Sequence, residues 1–283
     1  MNRKQPQPIA MIPYANMAPF QEMGPPPGCY FVDCVPRNSI QALKDKRVWA
    51  AAVPVGGLPA LEGETRFVGC HGIAVKERVM SVLFFSDRSF EAFRRPATIS
   101  LSGESASSVR LLYLLLGYQH GFDAVPFLIS TGQPPNGQLV IGDRALRWAR
   151  EYEQTGTAHG YSHMTDLAQY WHARFQLPFV FARWVVHNEA PREVQESLEQ
   201  WLQRFTHDEP GLIEKAVPAV AAKLSLPEDY TARYLRLIKR CLTQEDIAGQ
   251  HRFLEELKPY GSGLPFHSPS AGGEGGLQQN RMK

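Results

Sequence analysis

Short apolar segments of strand length alternate with helix-like segments along most of this chain, and this order constrains the fold more than any other feature. The strand-like segments are IAMIPY, CYFVDCV, VWAAAVPV, VMSVLFFS, ATISLSG, AVPFLI and GQLVIGD. Two segments among the later strands, SSVRLLYLLLGY and RALRWAREY, have the character of helices. This alternation is typical of βα units built around a parallel sheet. We therefore predict an α/β fold.

The predicted elements divide the chain into two lobes and a tail. Residues 1–93 are predicted to begin lobe 1 and residues 94–184 to form lobe 2, whereas the largely helical residues 185–262 return to lobe 1. Residues 263–283 are rich in Gly and Ser and are predicted to be a disordered tail. Two lobes leave a cleft between them, and such clefts are common ligand sites.

Composition and charge argue against several classes of function. The net charge of +2 gives no electrostatic reason to expect binding to nucleic acid or to an anionic membrane, and no apolar run is long enough to span a bilayer. The N-terminal segment MNRKQPQPIAMIPY lacks the apolar core of a signal peptide, and the four cysteines form no CxxC pair. We therefore expect a cytoplasmic protein without a metal site. The sequence does not indicate an oligomeric state.

The first strand runs into the segment IPYANMAPF, in which Asn16 is followed by Pro19. Asparagine in a turn often bonds its own backbone, and this local role is one interpretation. The other is a ligand contact, because the loops that follow parallel strands are where α/β proteins bind ligands. The residues alone leave both interpretations open.

Three serines, Ser105, Ser107 and Ser108, stand at the start of a strongly apolar helix. One serine is enough to cap a helix. The free amides and partial positive charge of a helix N-terminus also attract anions, and hydroxyl groups can donate to the same anion. Because there are three serines, we favour an anion site, here for a carboxylate or a phosphate.

Two further places are candidates for ligand contacts. Gly142 and Asp143 follow the strand LVI, where Asp143 could cap the next helix or contact a ligand at the strand's carboxyl end. Ser81 is a lone polar residue in the apolar segment VMSVLFFS, and by itself it is most simply a buried hydroxyl bonded to the backbone.

Taken together, these segments resemble one family, the chorismate dehydratases of the futalosine route to menaquinone. The resemblance covers most of residues 9–260 and rests on five blocks in order: IPYANMAPF, VMSVLFFS, SLSGESASSVRLLYLLL, LVIGDRALR and DLAQYWHARFQLPFVFARWVV. The last two blocks are the most specific.

The resemblance implies a fold like that of the two-lobed, type II periplasmic binding proteins, with chorismate in the central cleft. It implies dehydration of chorismate to 3-[(1-carboxyvinyl)oxy]benzoate by a hydro-lyase, without a cofactor. It also implies that Asn16 and Ser81 are the active-site residues. The serines at 105, 107 and 108, with Gly142 and Asp143, are then candidates for substrate binding.

Two alternatives remain, and the chain departs from the family at a few positions. One alternative is the sister enzyme 1,4-dihydroxy-6-naphthoate synthase, although the IGD and LPFVFA blocks favour the dehydratase. The other is a cytoplasmic binding protein that closes on a carboxylate ligand without reaction. Ala106 and Gly56 stand where the family usually has polar residues, and residues 76–78 are an apparent insertion.

Overall fold

The computed structural model describes residues 5–101, 105–128 and 134–260, which form two sheets flanked by helices. From edge to edge, the six-stranded sheet contains β11 (Lys239–Cys241), β4 (Thr65–Val75), β10 (Phe179–His187), β3 (Ala50–Pro54), β1 (Gln7–Met11) and β2 (Cys29–Asp33). The five-stranded sheet contains β7 (Phe127–Leu128), β6 (Thr98–Ser100), β8 (Gly137–Ile141), β5 (Val82–Ser86) and β9 (His163–Asp166). Each sheet is the centre of one lobe.

The helices lie between and around these strands. They are α1 (Ala18–Met23), α2 (Pro36–Lys44), α3 (Ala106–His120), α4 (Gly142–Thr155), α5 (Leu167–Phe175), α6 (Arg192–Leu224), α7 (Glu228–Leu237) and α8 (Gln244–Leu257). Within the described parts of the chain, none of these helices is long and apolar enough to cross a membrane.

Parallel and antiparallel strands are mixed in both sheets. In lobe 1, β1 is parallel to β2 and β3, whereas β10 is antiparallel to β3 and β4. All nine residues of β10 are buried, because this strand lies inside the sheet and is covered on both faces. In lobe 2, β6 is parallel to β7 and β8, and β5 lies antiparallel between β8 and β9.

The strand pairing differs from the predicted division of the chain in two places. The predicted boundary after residue 93 places VMSVLFFS in lobe 1, but β5 pairs with β8 and β9 of the second sheet. The predicted boundary after residue 184 cuts through β10, which belongs wholly to the first sheet. The sequence of an apolar strand does not indicate which of two sheets the strand joins, so both boundaries were misplaced. The predicted tail 263–283 lies outside the described residues.

A third difference concerns the segment TARYLRLIKRCL, which lies in the largely helical part of the chain, residues 185–262, and has the pattern of one continuous helix. The helix α7 ends at Leu237, and Lys239–Cys241 pairs with β4 at the edge of the first sheet. Pairing with an edge strand outweighs the helical pattern here, since it satisfies backbone groups that the helix end leaves free. Arg240, in the middle of this short strand, is thereby fully buried.

Candidate functional site

A cavity of about 50 Å³ lies between the two lobes. Both lobes contribute to its wall, and so does the segment that crosses from β4 to β5. The polar lining comes from Tyr14, Asn16, Ser81, Ser105 and Ser108, and the rest is Ile12, Pro36, Pro54, Ile73, Val79, Val82, Ile141, Gly142, Phe181, Ala182 and Ile238. Among the described lining residues there is no carboxylate, imidazole, amine or guanidinium, so the cavity offers hydrogen bonds and apolar contact.

Asn16 reaches this cavity from the end of the first strand. It lies in a short 3₁₀ turn, Ala15–Met17, that leads directly into α1, and Pro19 occupies the first turn of that helix. The Oδ1 atom of Asn16 is buried and has no hydrogen-bond partner among the described residues. A buried oxygen without a hydrogen bond destabilises the fold, and a ligand that donates a hydrogen bond to it would remove this cost. Asn16 is therefore well placed to contact a ligand.

The backbone of Asn16 is held by Arg240. The Nε atom of Arg240 donates to the Asn16 carbonyl oxygen at 3.0 Å, and Nη1 donates to a carboxylate oxygen of Glu209 at 2.9 Å. Burial lowers the pKa of Arg240, and the charge of Glu209 opposes this effect. A buried guanidinium therefore anchors the turn that presents Asn16.

Ser81 lines the same cavity from the other lobe, immediately before β5. It is buried, and its Oγ accepts a hydrogen bond from the hydroxyl of Tyr234 at 3.1 Å. The interpretation of Ser81 as a hydroxyl bonded to the backbone was wrong, because its partner is a side chain 153 positions away. That distance in sequence is why no local pattern could indicate it.

The backbone of the two residues that precede Ser81 is held by Asp166, which is not among the residues singled out from the sequence. One carboxylate oxygen of Asp166 accepts hydrogen bonds from the amides of Val79 and Met80, both at 2.9 Å. The other oxygen caps α5 by accepting from the amide of Ala168 at 3.0 Å. Burial raises the pKa of Asp166, and the amide hydrogen bonds act against this shift. Met80 has a left-handed φ of 61°, and these bonds hold it there.

The three serines of α3 have two different roles. Ser105 is the N-cap, and its Oγ accepts from the amide of Ser108 at 3.2 Å and lies 3.0 Å from the Ser108 hydroxyl. Both residues line the cavity. Ser107 does not line it: its hydroxyl donates to the Phe181 carbonyl and accepts from the Gly56 amide, both at 3.0 Å. Ser107 therefore joins lobe 2 to lobe 1.

The structure gives a physical reason for glycine at position 56. A Cβ atom there would lie 2.9 Å from Cδ of Arg110 and 3.2 Å from the carbonyl oxygen of Ala106. The start of α3 thus packs directly on the backbone of Gly56. A polar side chain at this position would separate the lobes unless Arg110 moved.

Gly142 and Asp143 begin α4 in two different ways. Gly142 lines the cavity with a positive φ of 61°, and its amide donates to the Ser81 carbonyl at 2.8 Å. Asp143 is not the N-cap, because α4 begins after Ile141 without a side-chain cap. Its carboxylate instead accepts from the amide of Ala15 at 2.7 Å and lies 3.1 Å from Nζ of Lys223. Asp143 therefore lies outside the cavity lining and connects the lobes.

The arrangement brings five of the seven predicted site residues to one cavity. Asn16, Ser81, Ser105, Ser108 and Gly142 line it, whereas Ser107 and Asp143 form bonds between the lobes. Within the parts of the chain that the structure describes, no group of three or more His, Cys, Asp or Glu residues could hold a metal ion. Chemically, the cavity can orient a small oxygen-bearing ligand by hydroxyl, amide and helix N-terminal groups.

Comparison with known proteins identifies relatives along nearly the whole chain. A family model described as menaquinone biosynthesis matches residues 8–259. A chorismate dehydratase from Thermus thermophilus is 28% identical over 273 aligned positions, and the match covers 93% of this chain and 97% of that protein.

Solved structures with the same fold are more distant in sequence. A protein from Archaeoglobus fulgidus has a TM-score of 0.66 at 15% identity, over 91% of this chain and 98% of the other. The periplasmic aliphatic sulphonate binding protein of Escherichia coli has a TM-score of 0.58 at 12% identity, over 91% and 93%. A Candida albicans protein with the generic periplasmic binding protein fold has a TM-score of 0.53 at 11% identity, over 95% and 99%. The prediction of a two-lobed, periplasmic-binding-protein-like α/β fold is confirmed.

Proposed function

Because the chain belongs to the menaquinone biosynthesis family, we propose that it is a chorismate dehydratase. In this proposal it converts chorismate to 3-[(1-carboxyvinyl)oxy]benzoate and water in the futalosine route, as a hydro-lyase that acts in the cytoplasm on a small molecule. The name of the Thermus thermophilus relative supports the substrate. The observation that carries the proposal is the buried Oδ1 of Asn16, which has no hydrogen-bond partner among the described residues and belongs to a cavity that Ser81 also lines.

The reaction suits a cavity of hydroxyl and amide groups. A base removes the proton from the ring carbon that carries the ether oxygen, and the electron pair of that C–H bond enters the ring. The C–O bond of the hydroxyl group on the adjacent ring carbon then breaks. The departing hydroxide takes up a proton and leaves as water. The ring becomes aromatic, so the product supplies much of the driving force. The protein then has to position the substrate, supply or recruit a base, and assist the departing oxygen.

The described residues suggest a role for each part of the cavity wall. Ser105, Ser108 and the N-terminus of α3 would hold one carboxylate of chorismate. Asn16 and Ser81, on opposite lobes, would orient the reacting face by hydrogen bonds. Since the described lining contains no carboxylate or imidazole, the second carboxylate of the substrate is the base in this proposal.

Mass measurement of the product tests the function directly. The purified protein incubated with chorismate should form a product lighter by about 18 mass units, the loss of one water. Asn16→Ala and Ser81→Ala should each slow formation of this product about 100-fold or more. The exposed residues Asn38 and Ser162 offer matched controls, because Asn38→Ala and Ser162→Ala remove the same groups outside the cavity.

A binding protein for a carboxylate ligand is the second candidate. It is favoured by the absence of a carboxylate or imidazole from the described lining. Unchanged chorismate together with tight binding in calorimetry would support this candidate and contradict the dehydratase. Stabilisation by chorismate alone would not separate the two, because both proteins would be stabilised by their ligand.

A further inference from the structure

Tyr234 is a buried tyrosine whose hydroxyl contacts Ser81 from outside the cavity. It lies on α7, and its hydroxyl is 3.1 Å from the Oγ of Ser81. Burial raises the pKa of Tyr234 well above its ordinary value of 10.0, so the phenol keeps its proton at any physiological pH. Tyr234 does not line the cavity, whereas Ser81 does.

The burial of Tyr234 decides the direction of this hydrogen bond. Among the described residues, Ser81 is the partner that the structure gives to the Tyr234 hydroxyl. If Ser81 donated instead, the phenol proton would be left buried without an acceptor, which is unfavourable. Tyr234 is therefore the donor. The hydroxyl proton of Ser81 is then free to point away from Tyr234, toward the cavity.

The helix that carries Tyr234 is tied to lobe 2 as well as to lobe 1. The guanidinium of Arg150, on α4, lies 5.6 Å from the centre of the Tyr230 ring on α7. Arg233, next to Tyr234, lies 4.0 Å from Glu153 of the same helix α4. The first residue of α4, Gly142, donates its amide to the Ser81 carbonyl. The contacts between α7 and α4 therefore fix the position of Tyr234 relative to Ser81.

We propose that Tyr234 is a positioning residue that sets the rotation of the Ser81 hydroxyl, so that Ser81 donates to a substrate oxygen in the cavity. This inference rests on the proposed function for the identity of the substrate. Without the phenol hydroxyl, Ser81 stays in place because Asp166 and Gly142 still hold its backbone on either side. Its hydroxyl would then rotate among several directions, and the reaction would slow with little change in substrate binding.

Tyr234→Phe tests the role, with Tyr230→Phe as the matched control. The two tyrosines lie one turn apart on α7 and are both buried, but the Tyr230 hydroxyl has no hydrogen-bond partner among the described residues. Tyr234→Phe should lower kcat about five- to tenfold with KM within about twofold, the size expected for one lost hydrogen bond. Tyr230→Phe should leave both constants unchanged. Equal losses in the two variants, or a change confined to KM, would overturn the proposal.

A double-mutant cycle separates positioning from a general loss of stability. In a Ser81→Ala background, Tyr234→Phe should cause no further loss of the residual kcat, because the group that it positions is gone. A loss of the same size in both backgrounds would contradict the proposal.

Urea unfolding of the same four proteins provides a readout without turnover. The effects of Tyr234→Phe and Ser81→Ala on the midpoint should be less than additive, because either change breaks the same bond. If wild-type protein leaves chorismate unchanged, the proposed function fails and this cycle alone decides the inference. Strictly additive midpoints would then overturn it.

Discussion

The carboxylate of Asp143 accepts a hydrogen bond from the backbone amide of Ala15 at 2.7 Å, although the two residues belong to different lobes. Asp143 begins α4 of lobe 2, and Ala15 directly precedes Asn16 at the end of the first strand. Together with the bonds of Ser107 to Gly56 and Phe181, this contact holds the two walls of the cavity in one geometry. The structure is thus a closed arrangement of the lobes.

Removing the Asp143 carboxylate should weaken ligand binding. Asp143→Ala leaves the partly buried amide of Ala15 without its acceptor, which costs about 1–3 kcal/mol in the closed form. We expect chorismate to bind about tenfold more weakly or worse in calorimetry. Lys223→Met is the matched control. It removes the ion pair with Asp143, whose lysine is 60% exposed, and an exposed hydrogen bond from Nζ to the Pro13 carbonyl at 3.3 Å. Such exposed contacts contribute little. An equal loss in Lys223→Met would contradict this account.

Asn16→Ala should separate activity from stability. The buried Oδ1 of Asn16 has no partner among the described residues, so its removal takes away an unsatisfied group. We expect the melting temperature without ligand to stay the same or rise. Turnover should fall about 100-fold, which is the size of effect expected when a group that stabilises charge in the transition state is removed. A large drop in melting temperature would show that Asn16 is a structural residue.

Ser107→Ala and Ser108→Ala should have opposite profiles, although the residues are adjacent. Ser107→Ala leaves the buried Gly56 amide unpaired and should lower the free energy of unfolding by about 1–3 kcal/mol. Ser108→Ala removes a hydroxyl that lines the cavity and meets only Ser105 among the described residues. It should mainly raise KM. Urea unfolding and steady-state kinetics on both variants check this, and identical profiles would contradict the two assignments.

His71 should make the protein less stable in mild acid. Burial lowers the pKa of His71 below its ordinary value of 6.5, and its Nε2 lies 2.8 Å from the hydroxyl of Thr206. Below pH 6.5 the unfolded chain therefore binds a proton that the folded protein resists, so stability falls as pH decreases from 6.5 toward the lowered pKa. Urea unfolding across this range should show the decline.

The matched control for this pH effect is the exposed His207. His71→Gln should remove part of the decline in stability below pH 6.5, whereas His207→Gln should keep the wild-type profile. A decline that is the same in wild-type protein and His71→Gln would show that other groups cause it.

Local patterns were sufficient for most of the elements. Residues 185–262 are predicted to be largely helical, and the segment QEDIAGQHRFLEEL within them is α8, because its apolar spacing and acidic first turn agree with its surroundings. The same holds for the start of α3, where Ser105 has the role of an N-cap. Patterns failed where a distant partner decides: β5 pairs in the second sheet, and Lys239–Cys241 leaves a helical pattern to extend the first.

By itself the sequence determined the α/β class, the position of most helices and strands, and the blocks that mark the family. Only the tertiary structure decided what each polar side chain does. Ser107 and Ser108 are neighbours in one motif, yet one bonds to the opposite lobe and the other lines the cavity. The partners of Ser81 and Asn16 lie 153 and 224 positions away, at Tyr234 and Arg240. Hydrogen bonds over such separations are chosen by how the lobes pack, and the periodicity of a local segment carries no information about that packing.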